Sequence, residues 1–492
     1  MTEVALASRT FTAQDQFCFA RLSGDFNPLH MDPVAARKSD AGQPIVHGIH
    51  GVLWALDQIA RARIVTAATG SLKVNFARFI PVGSTVELKL LQHDEKSVRA
   101  EILLGGLTAT RLTLTRDQAG KSKVAAWQSG MATPPKSDQP LTWVDLAELT
   151  PLSGRVASAV PDERLADAFA NAASIFGAER IAAIAALSRL VGMICPGLYS
   201  LFAALALDFV ASASKAKDVA FRVARTDPRF RLVQMEVSGA GIAGSVDAFL
   251  RWPPVKQAAL ADIVKLVAPG EFAGATALIV GGSRGLGALT AKVIAAGGGH
   301  VAVTYASGKD DASQLAAEIN EAVAPGRCQT LHYDAREPAG DQLGPLTNEI
   351  SHLYYFATSG IYRQKADLFL PALFDEFVQI YVKGFYDCCE ALRRRGSRAV
   401  TAFYPSSVFV EQQPQALAEY SMAKAAGEAL CAAMSRGSDG MRVIVERLPR
   451  LLTDQTASVP PVRTADPLEV MLPIIRKVQS PAAPASRGGP NG

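Results

Sequence analysis

Leu22-Ser-Gly-Asp-Phe-Asn-Pro-Leu-His30 is followed a short way on by Pro44-Ile-Val-His-Gly48. Asp25 and His30 stand five positions apart on a Gly/Asn/Pro segment too irregular for one regular helix. A carboxylate and an imidazole so placed can converge on one small volume, a geometry suited to moving a proton and activating water. Val46 to Ala62 then reads as a long, mostly apolar helix. Strand-like runs follow at Gly70–Ala77, Thr85–Leu91, Ser97–Leu104 and Ala109–Thr115, separated by turn residues such as Pro81-Val82-Gly83 and Gly105-Gly106. The pattern is one long helix followed by antiparallel strands.

These two blocks resemble the active-site loop of the MaoC-type hot-dog hydratases, the (R)-specific enoyl-thioester hydratases, and helix-then-strands is the hot-dog order. The resemblance implies that Asp25 and His30 share one water and add H and OH to the same face of an enoyl thioester. It implies that Asn27 helps to position the pair. The helix opening at Gly48 would offer backbone N–H groups to the thioester oxygen, where negative charge develops. His47 matches a family position, where a structural hydrogen bond is as good a reading as contact with substrate.

Residues 1–132 are expected to form this first, catalytic hot-dog, and Thr133 to Pro140 a linker. The region 141–255 reads as a degenerate second copy. Val191-Gly-Met-Ile-Cys-Pro-Gly197 is aligned with Val46–Gly51, and Ala220–Arg225 with Lys73–Arg78; a Pro follows each (Pro228, Pro81). The copy lacks the Asp/His loop, so one active site per pair is expected, with the second half holding the acyl chain. Trp252-Pro-Pro254 closes it.

From Ala275 strand and helix patterns alternate, which predicts a parallel sheet wrapped by helices over 270–480. The strand candidates are Thr276–Val280, Val301–Tyr305, Thr330–Tyr333, His352–Ala357, Ala399–Tyr404 and Met441–Arg447. Gly281-Gly-Ser-Arg-Gly-Leu-Gly287 lies between the first strand and a helix over Leu286–Ala296, the context a dinucleotide site needs. Tyr420 and Lys424 sit one helical turn apart.

This half resembles a short-chain dehydrogenase/reductase of the 3-oxoacyl-carrier-protein reductase kind. The resemblance implies a catalytic Ser407 (Ser406 the alternate), Tyr420 and Lys424. The cofactor contacts it implies are Gly281, Ser283, Arg284, Gly285, Leu286, Gly287, Ser307, Asp334 and Ser359, with Tyr420 and Lys424. No carboxylate ends Val301–Tyr305. Ser307 and Lys309 follow it and Arg284 lies in the turn, which favours NADPH over NADH. The sequence departs from the family at Tyr381, where an Asn is usual, at Ala357-Thr-Ser-Gly360 and at Pro449-Arg450; no seventh strand is visible.

The fold class expected is thus an α+β double hot-dog followed by an α/β Rossmann-type doubly wound parallel sheet. The function expected is a bifunctional ketoreductase/dehydratase of acyl thioesters carried on coenzyme A or acyl carrier protein. A degradative hydratase/3-hydroxyacyl dehydrogenase and an acyl-binding scaffold with a decayed site are the alternatives.

The 492 residues are 49% apolar and carry a net charge of +4, so no electrostatic case for nucleic acid exists. Six scattered cysteines show no metal-ligand spacing, and no metal is expected. The start lacks a signal-peptide layout. The apolar stretch Ile181–Phe209 is broken by Arg189, Cys195-Pro-Gly197 and Asp208, and reads as a buried helix pair rather than a membrane span. A cytoplasmic homodimer or higher homo-oligomer with a disordered tail at 481–492 is expected.

Overall fold

The computed structural model describes residues 4–39, 41–66, 68–116, 145–150, 152–211, 218–346, 349–361, 369–396, 399–437, 441–457 and 462–481. The expected linker at 133–140 and the tail from 482 lie outside the described residues. The chain up to Pro254 makes one compact unit, and most of the chain from Val255 makes a second.

The first unit is a double hot-dog built on one ten-stranded antiparallel sheet. Its strands are β1 (Val4–Thr10), β2 (Thr69–Phe76), β3 (Thr85–His93), β4 (Ser97–Leu104), β5 (Leu107–Arg116), β6 (Ser153–Ala157), β7 (Ser200–Phe209), β8 (Asp218–Asp227), β9 (Leu232–Gly239) and β10 (Ile242–Leu250). Their order is β1-β3-β4-β5-β2-β7-β10-β9-β8-β6. Each half therefore has the same connectivity, and β2 pairs with β7 at the seam, Leu72 opposite Leu207 and Val74 opposite Leu205. The alternation along these strands sends Leu72, Val74, Leu112, Leu114, Leu205 and Leu207 to a single core shared by both halves.

The long helix of the first half, Gly48–Arg61, starts two residues later than its apolar pattern suggests, because Val46 is held by Ile80 in an extended segment. Ile49, Val52, Leu53, Leu56 and Ile59 on this helix have no exposure. Such side chains each contribute about 1.5–3 kcal/mol on burial.

The second half corrects two expectations. Its long helix is Ala178–Arg189, continued by a π-helical turn at Leu190–Ile194. Val191–Gly197 is therefore at the end of this helix, not at its start, and does not correspond to Val46–Gly51. By sheet order the counterpart of β8, which contains Ala220–Arg225, is β3, so the alignment with Lys73–Arg78 in β2 is one strand out of step. A period of two looks the same in every strand, and a Pro in a turn does not say which turn it is.

The second correction is Ser200–Phe209, expected as a helix and found as the central strand β7. This strand has paired neighbours on both sides and is apolar without interruption from Leu201 to Leu207, so its sequence carries no clean alternation. Among the described residues no helix is long and apolar enough to cross a membrane.

The second unit holds a six-stranded parallel sheet in the order β13-β12-β11-β14-β15-β16. Its strands are β11 (Thr276–Val280), β12 (His300–Tyr305), β13 (Cys328–His332), β14 (His352–Tyr355), β15 (Val400–Ser407) and β16 (Met441–Leu448). The order reverses at β11/β14, the switch point at which open α/β sheets bind ligands. Helix Gly285–Ala296 follows β11, and no seventh strand is found among the described residues.

Candidate active sites

The Asp25 segment is shaped by its neighbours in sequence. Thr12 and Asp15 form a capping box at the start of helix Ala13–Ser23. Gly24 ends that helix at φ +78°, and a Cβ there would lie 2.9 Å from both Ala159 Cβ and Arg189 Cδ. Only glycine satisfies both the left-handed backbone and the close approach. Asn27 then caps a short turn, Pro28–Met31, accepting from the Leu29 N–H at 3.0 Å, and His30 rides on that turn.

The Asp25 carboxylate is 2% exposed. Its Oδ1 accepts from the Asn27 N–H at 3.2 Å and its Oδ2 from the Ser188 hydroxyl at 2.6 Å. His30 donates Nδ1–H to the Ile45 carbonyl at 2.8 Å, which leaves Nε2 as the bare nitrogen of a neutral ring. His47 stacks on His30 with ring centroids 3.9 Å apart. Its Nδ1 faces Gln16 Oε1 at 2.9 Å and its Nε2 faces the Asp25 carbonyl at 3.0 Å. Both partners are acceptors, so a neutral His47 satisfies only one of them at a time.

Burial raises the Asp25 carboxyl above its ordinary range, and His30, Ser188 and the Asn27 amide only partly oppose it. Burial also lowers His30, with Asp25 acting the other way and Arg251 adding to the lowering. His47 is lowered well below its usual value and His50 to about 3, both chiefly by burial. The pair is thus drawn together in proton affinity, the condition under which a proton passes either way between acid and base.

Ligand atoms of Asp25, His30 and His47 lie within 4.8 Å of one another. Both ring nitrogens of His47 face protein acceptors and His30 Nδ1 is held by the Ile45 carbonyl, so these atoms are engaged within the fold.

A pocket open to solvent reaches this pair and is lined by residues of both halves, among them Gly48, Phe76, Ser188, Gly192 and Phe202. Gly48 opens its helix with no side chain capping it. A Cβ on Gly48 would lie 2.7 Å from the Phe76 ring.

In the second unit, Gly281 (φ +74°) and Gly287 form a cradle. A Cβ on Gly281 would lie 2.8 Å from the Ala357 nitrogen, and one on Gly287 2.5 Å from the Gly281 carbonyl. Ser283, Gly285 and Leu286 complete the turn. The buried Ser359 hydroxyl has no hydrogen-bond partner among the described residues. A cradle closed to any Cβ and an orphaned hydroxyl fit a bound dinucleotide. Ser307 is exposed beyond β12, where Lys309 opens the next helix.

Two expected cofactor contacts are otherwise engaged. Arg284 pairs with Asp454 at 3.0 Å. Asp334 accepts from the Arg336 side chain at 2.9 Å, which holds its carboxyl below the usual range, with burial acting the other way.

Tyr420 and Lys424 share helix Ala418–Gly437. Lys424 donates to the Pro405 carbonyl at 2.7 Å, and burial lowers its ammonium to about 7. Its Nζ lies 4.1 Å from the Tyr381 ring centre. Tyr381 meets Tyr420 edge to face at 5.6 Å and shares a 2.6 Å hydrogen bond with Thr358. It therefore fills the space beside the Tyr420/Lys424 pair. Ser406 is tied to Glu428, whereas the Ser407 hydroxyl accepts from the nearby Phe409 N–H at 3.2 Å. Adjacent residues of a strand face opposite ways, which separates the two serines.

Comparison with known proteins divides the chain in the same places. The "MaoC like domain" model matches residues 2–110 and the "short chain dehydrogenase" model residues 275–460. The chain joins a MaoC-like domain to a short-chain dehydrogenase domain. The MaoC-like domain is 49% identical over 45 residues to the (R)-specific enoyl-CoA hydratase of Aeromonas caviae, covering 9% of this chain and 34% of that one. It is 30% identical over 124 residues to Protein MaoC of Klebsiella aerogenes, covering 25% and 32%. The chain thus spans about a third of these curated relatives. The dehydrogenase domain is similar to a short-chain dehydrogenase of Burkholderia cenocepacia solved with NADP, at 22% identity and TM-score 0.37, covering 42% of this chain and 91% of that one.

Sequence reasoning missed Ser188, Gly192 and Gln16 in the MaoC-like site. Ser188 had one visible sign: it is the only hydroxyl in the apolar run Ile181–Leu190. Asn27 does more than position the pair. Its side-chain amide donates to the Gly192 and Leu198 carbonyls at 2.8 and 3.2 Å, clasping the second half. Asn27→Ala would remove the donor from the buried Gly192 carbonyl and the half-buried Leu198 carbonyl. We expect a loss of about 1–3 kcal/mol, read by chemical unfolding of the folded variant.

Proposed function

We propose that the chain is a bifunctional enzyme of acyl thioesters. The dehydrogenase domain reduces a 3-oxoacyl thioester to the 3-hydroxyacyl thioester with NADPH. The MaoC-like domain interconverts this with the 2-enoyl thioester and water. The observation that carries the reading is the pairing of buried Asp25 with half-buried His30 at a solvent-open pocket beside the uncapped helix start at Gly48. The acyl group is carried on coenzyme A or acyl carrier protein, and the working form is a homo-oligomer.

In the hydration direction the pair takes one proton from water and gives one to C2, while the hydroxide adds to C3. The charge that develops on the thioester oxygen falls at the Gly48 end of the helix, where unsatisfied N–H groups and the helix dipole favour it. Dehydration is the same path reversed. The neutral state of His30 suits it, since an imidazole with Nδ1 fixed on Ile45 has one nitrogen left to accept or return a proton.

In the dehydrogenase domain the glycine turn and Ser359 would hold the dinucleotide, which supplies hydride when bound. Ser407 would bind the substrate carbonyl and Tyr420 donate its proton to that oxygen. Lys424 stands beside the tyrosine as the cation that favours this transfer. NADPH is supported by the absence of a carboxylate at the end of β12, with Ser307 and Lys309 in its place.

The two chemistries should separate. Asp25→Asn is expected to abolish hydration of crotonyl thioester and to leave NADPH-dependent reduction of acetoacetyl thioester near wild type. Tyr420→Phe should do the reverse, lowering reduction by about 10²–10⁴-fold. Loss of both activities in one folded variant would sink the two-site reading.

Cofactor preference should follow Lys309 more than Arg284, whose guanidinium is held by Asp454. Lys309→Ala should weaken NADPH binding roughly tenfold or more, the worth of a charge-assisted contact, and leave NADH unchanged. Arg284→Ala should weaken both alike by loosening the turn. Fluorescence titration with each nucleotide measures this; an NADPH-only loss in Arg284→Ala would return the 2′-phosphate to Arg284.

A further inference from the structure

We propose that Ser188, from the half that lacks its own Asp/His loop, is a positioning residue for the Asp25 carboxylate, with Gly192 forming the seat against which that carboxylate rests. The inference rests on the hydratase reading above and adds to it a part for the second half.

Ser188 is 4% exposed on helix Ala178–Arg189, whose other buried residues are all Ala, Ile or Leu. A serine buried on a helix ordinarily satisfies its hydroxyl by donating to the carbonyl four residues back. Ser23 does so to Phe19 and Thr290 to Leu286. Ser188 instead reaches across to Asp25 Oδ2 at 2.6 Å. One π-helical turn on, Gly192 faces the same carboxylate: a Cβ there would lie 2.3 Å from Oδ1 and 2.7 Å from Oδ2. The Asn27 side chain fixes that turn by donating to the Gly192 carbonyl. The carboxylate is therefore held on one oxygen by Ser188, on the other by the Asn27 N–H, and in place by a surface that admits no side chain.

A hydroxyl that donates to a carboxylate favours its ionised form. The other ionisable groups facing the site are His30 and His47 at Asp25 itself, His50 beside His47, Arg251, whose charge reaches His30, and Arg78, which lines the same pocket and donates to the Thr108 carbonyl. None of them replaces a donor on Oδ2. Without Ser188 the carboxyl would hold its proton to higher pH and would be free to turn.

The test is the pH profile of kcat/KM for hydration of crotonyl thioester by the full chain. Ser188→Ala should lower kcat/KM by roughly tenfold or more, the rate equivalent of losing a hydrogen bond to a charged group. It should do so through kcat more than KM, and move the acid limb to higher pH. Ser188→Thr, which keeps the donor, should restore both. Ser188→Cys, of similar size and a poor donor, should behave as Ala and serves if Ala does not fold. Reduction by NADPH, unchanged throughout, reports folding. A wild-type profile in folded Ser188→Ala or Ser188→Cys overturns the inference and leaves the hydratase reading standing. A wild-type protein that does not hydrate the thioester, or an Asp25→Asn variant that does, overturns both.

Discussion

A carboxylate removed from water must have its lone pairs answered, or it takes up a proton and ceases to be a base. Much of the first unit can be understood from that requirement at Asp25. The helix before it stops on a left-handed glycine so that the chain can turn inward. The asparagine after it starts a new turn so that a main-chain N–H reaches one oxygen. The remaining oxygen is answered from more than 160 residues away, by Ser188. The answer is incomplete, and burial still raises the carboxyl. That residue of unmet demand suits a group that must both take and return a proton.

The dehydrogenase domain solves a different problem with backbone instead of side chains. At Gly281, Gly282 and Gly287 a Cβ would meet main chain within 2.8 Å, so the turn packs backbone against backbone, while open space lies over Gly285. Around Tyr420 and Lys424 the space is aromatic: Tyr381, Tyr404 and Phe377 surround them. A lysine in such surroundings keeps its charge less readily, and it lowers to about 7. Its single strong contact is a main-chain carbonyl, with ring faces supplying the rest.

What was legible in the sequence was whatever depends on neighbours in the chain. Asp25, Asn27 and His30 sit on one irregular segment, and Gly281 to Gly287 on one turn, so each set is a local motif that a family resemblance can pick out. The α/β alternation of the second unit was readable because strand and helix periods differ. The second hot-dog was harder. Its strand order repeats the first, yet Val191–Gly197 and Ala220–Arg225 were set against the wrong partners, because successive strands of one sheet share a single period. Ser200–Phe209 was misread because a strand at the middle of a sheet looks as apolar as a buried helix. Ser188, Gly192 and the Arg284–Asp454 pair depend on contacts between distant segments, which no local pattern encodes.

The seam at β2 and β7 has a consequence for how such a protein can change over time. Where two identical copies of a fold meet, any substitution appears on both sides at once, and a site shared across the junction must remain serviceable in each. Tethering the copies within one polypeptide removes that bond between them. It also makes assembly of the shared site independent of protein concentration, since the partner is always present. One copy can then keep the reacting groups while the other is released to specialise. It can do without an Asp/His loop ahead of its long helix, Ala178–Arg189, and retain a single hydroxyl and a bare glycine where its neighbour needs them.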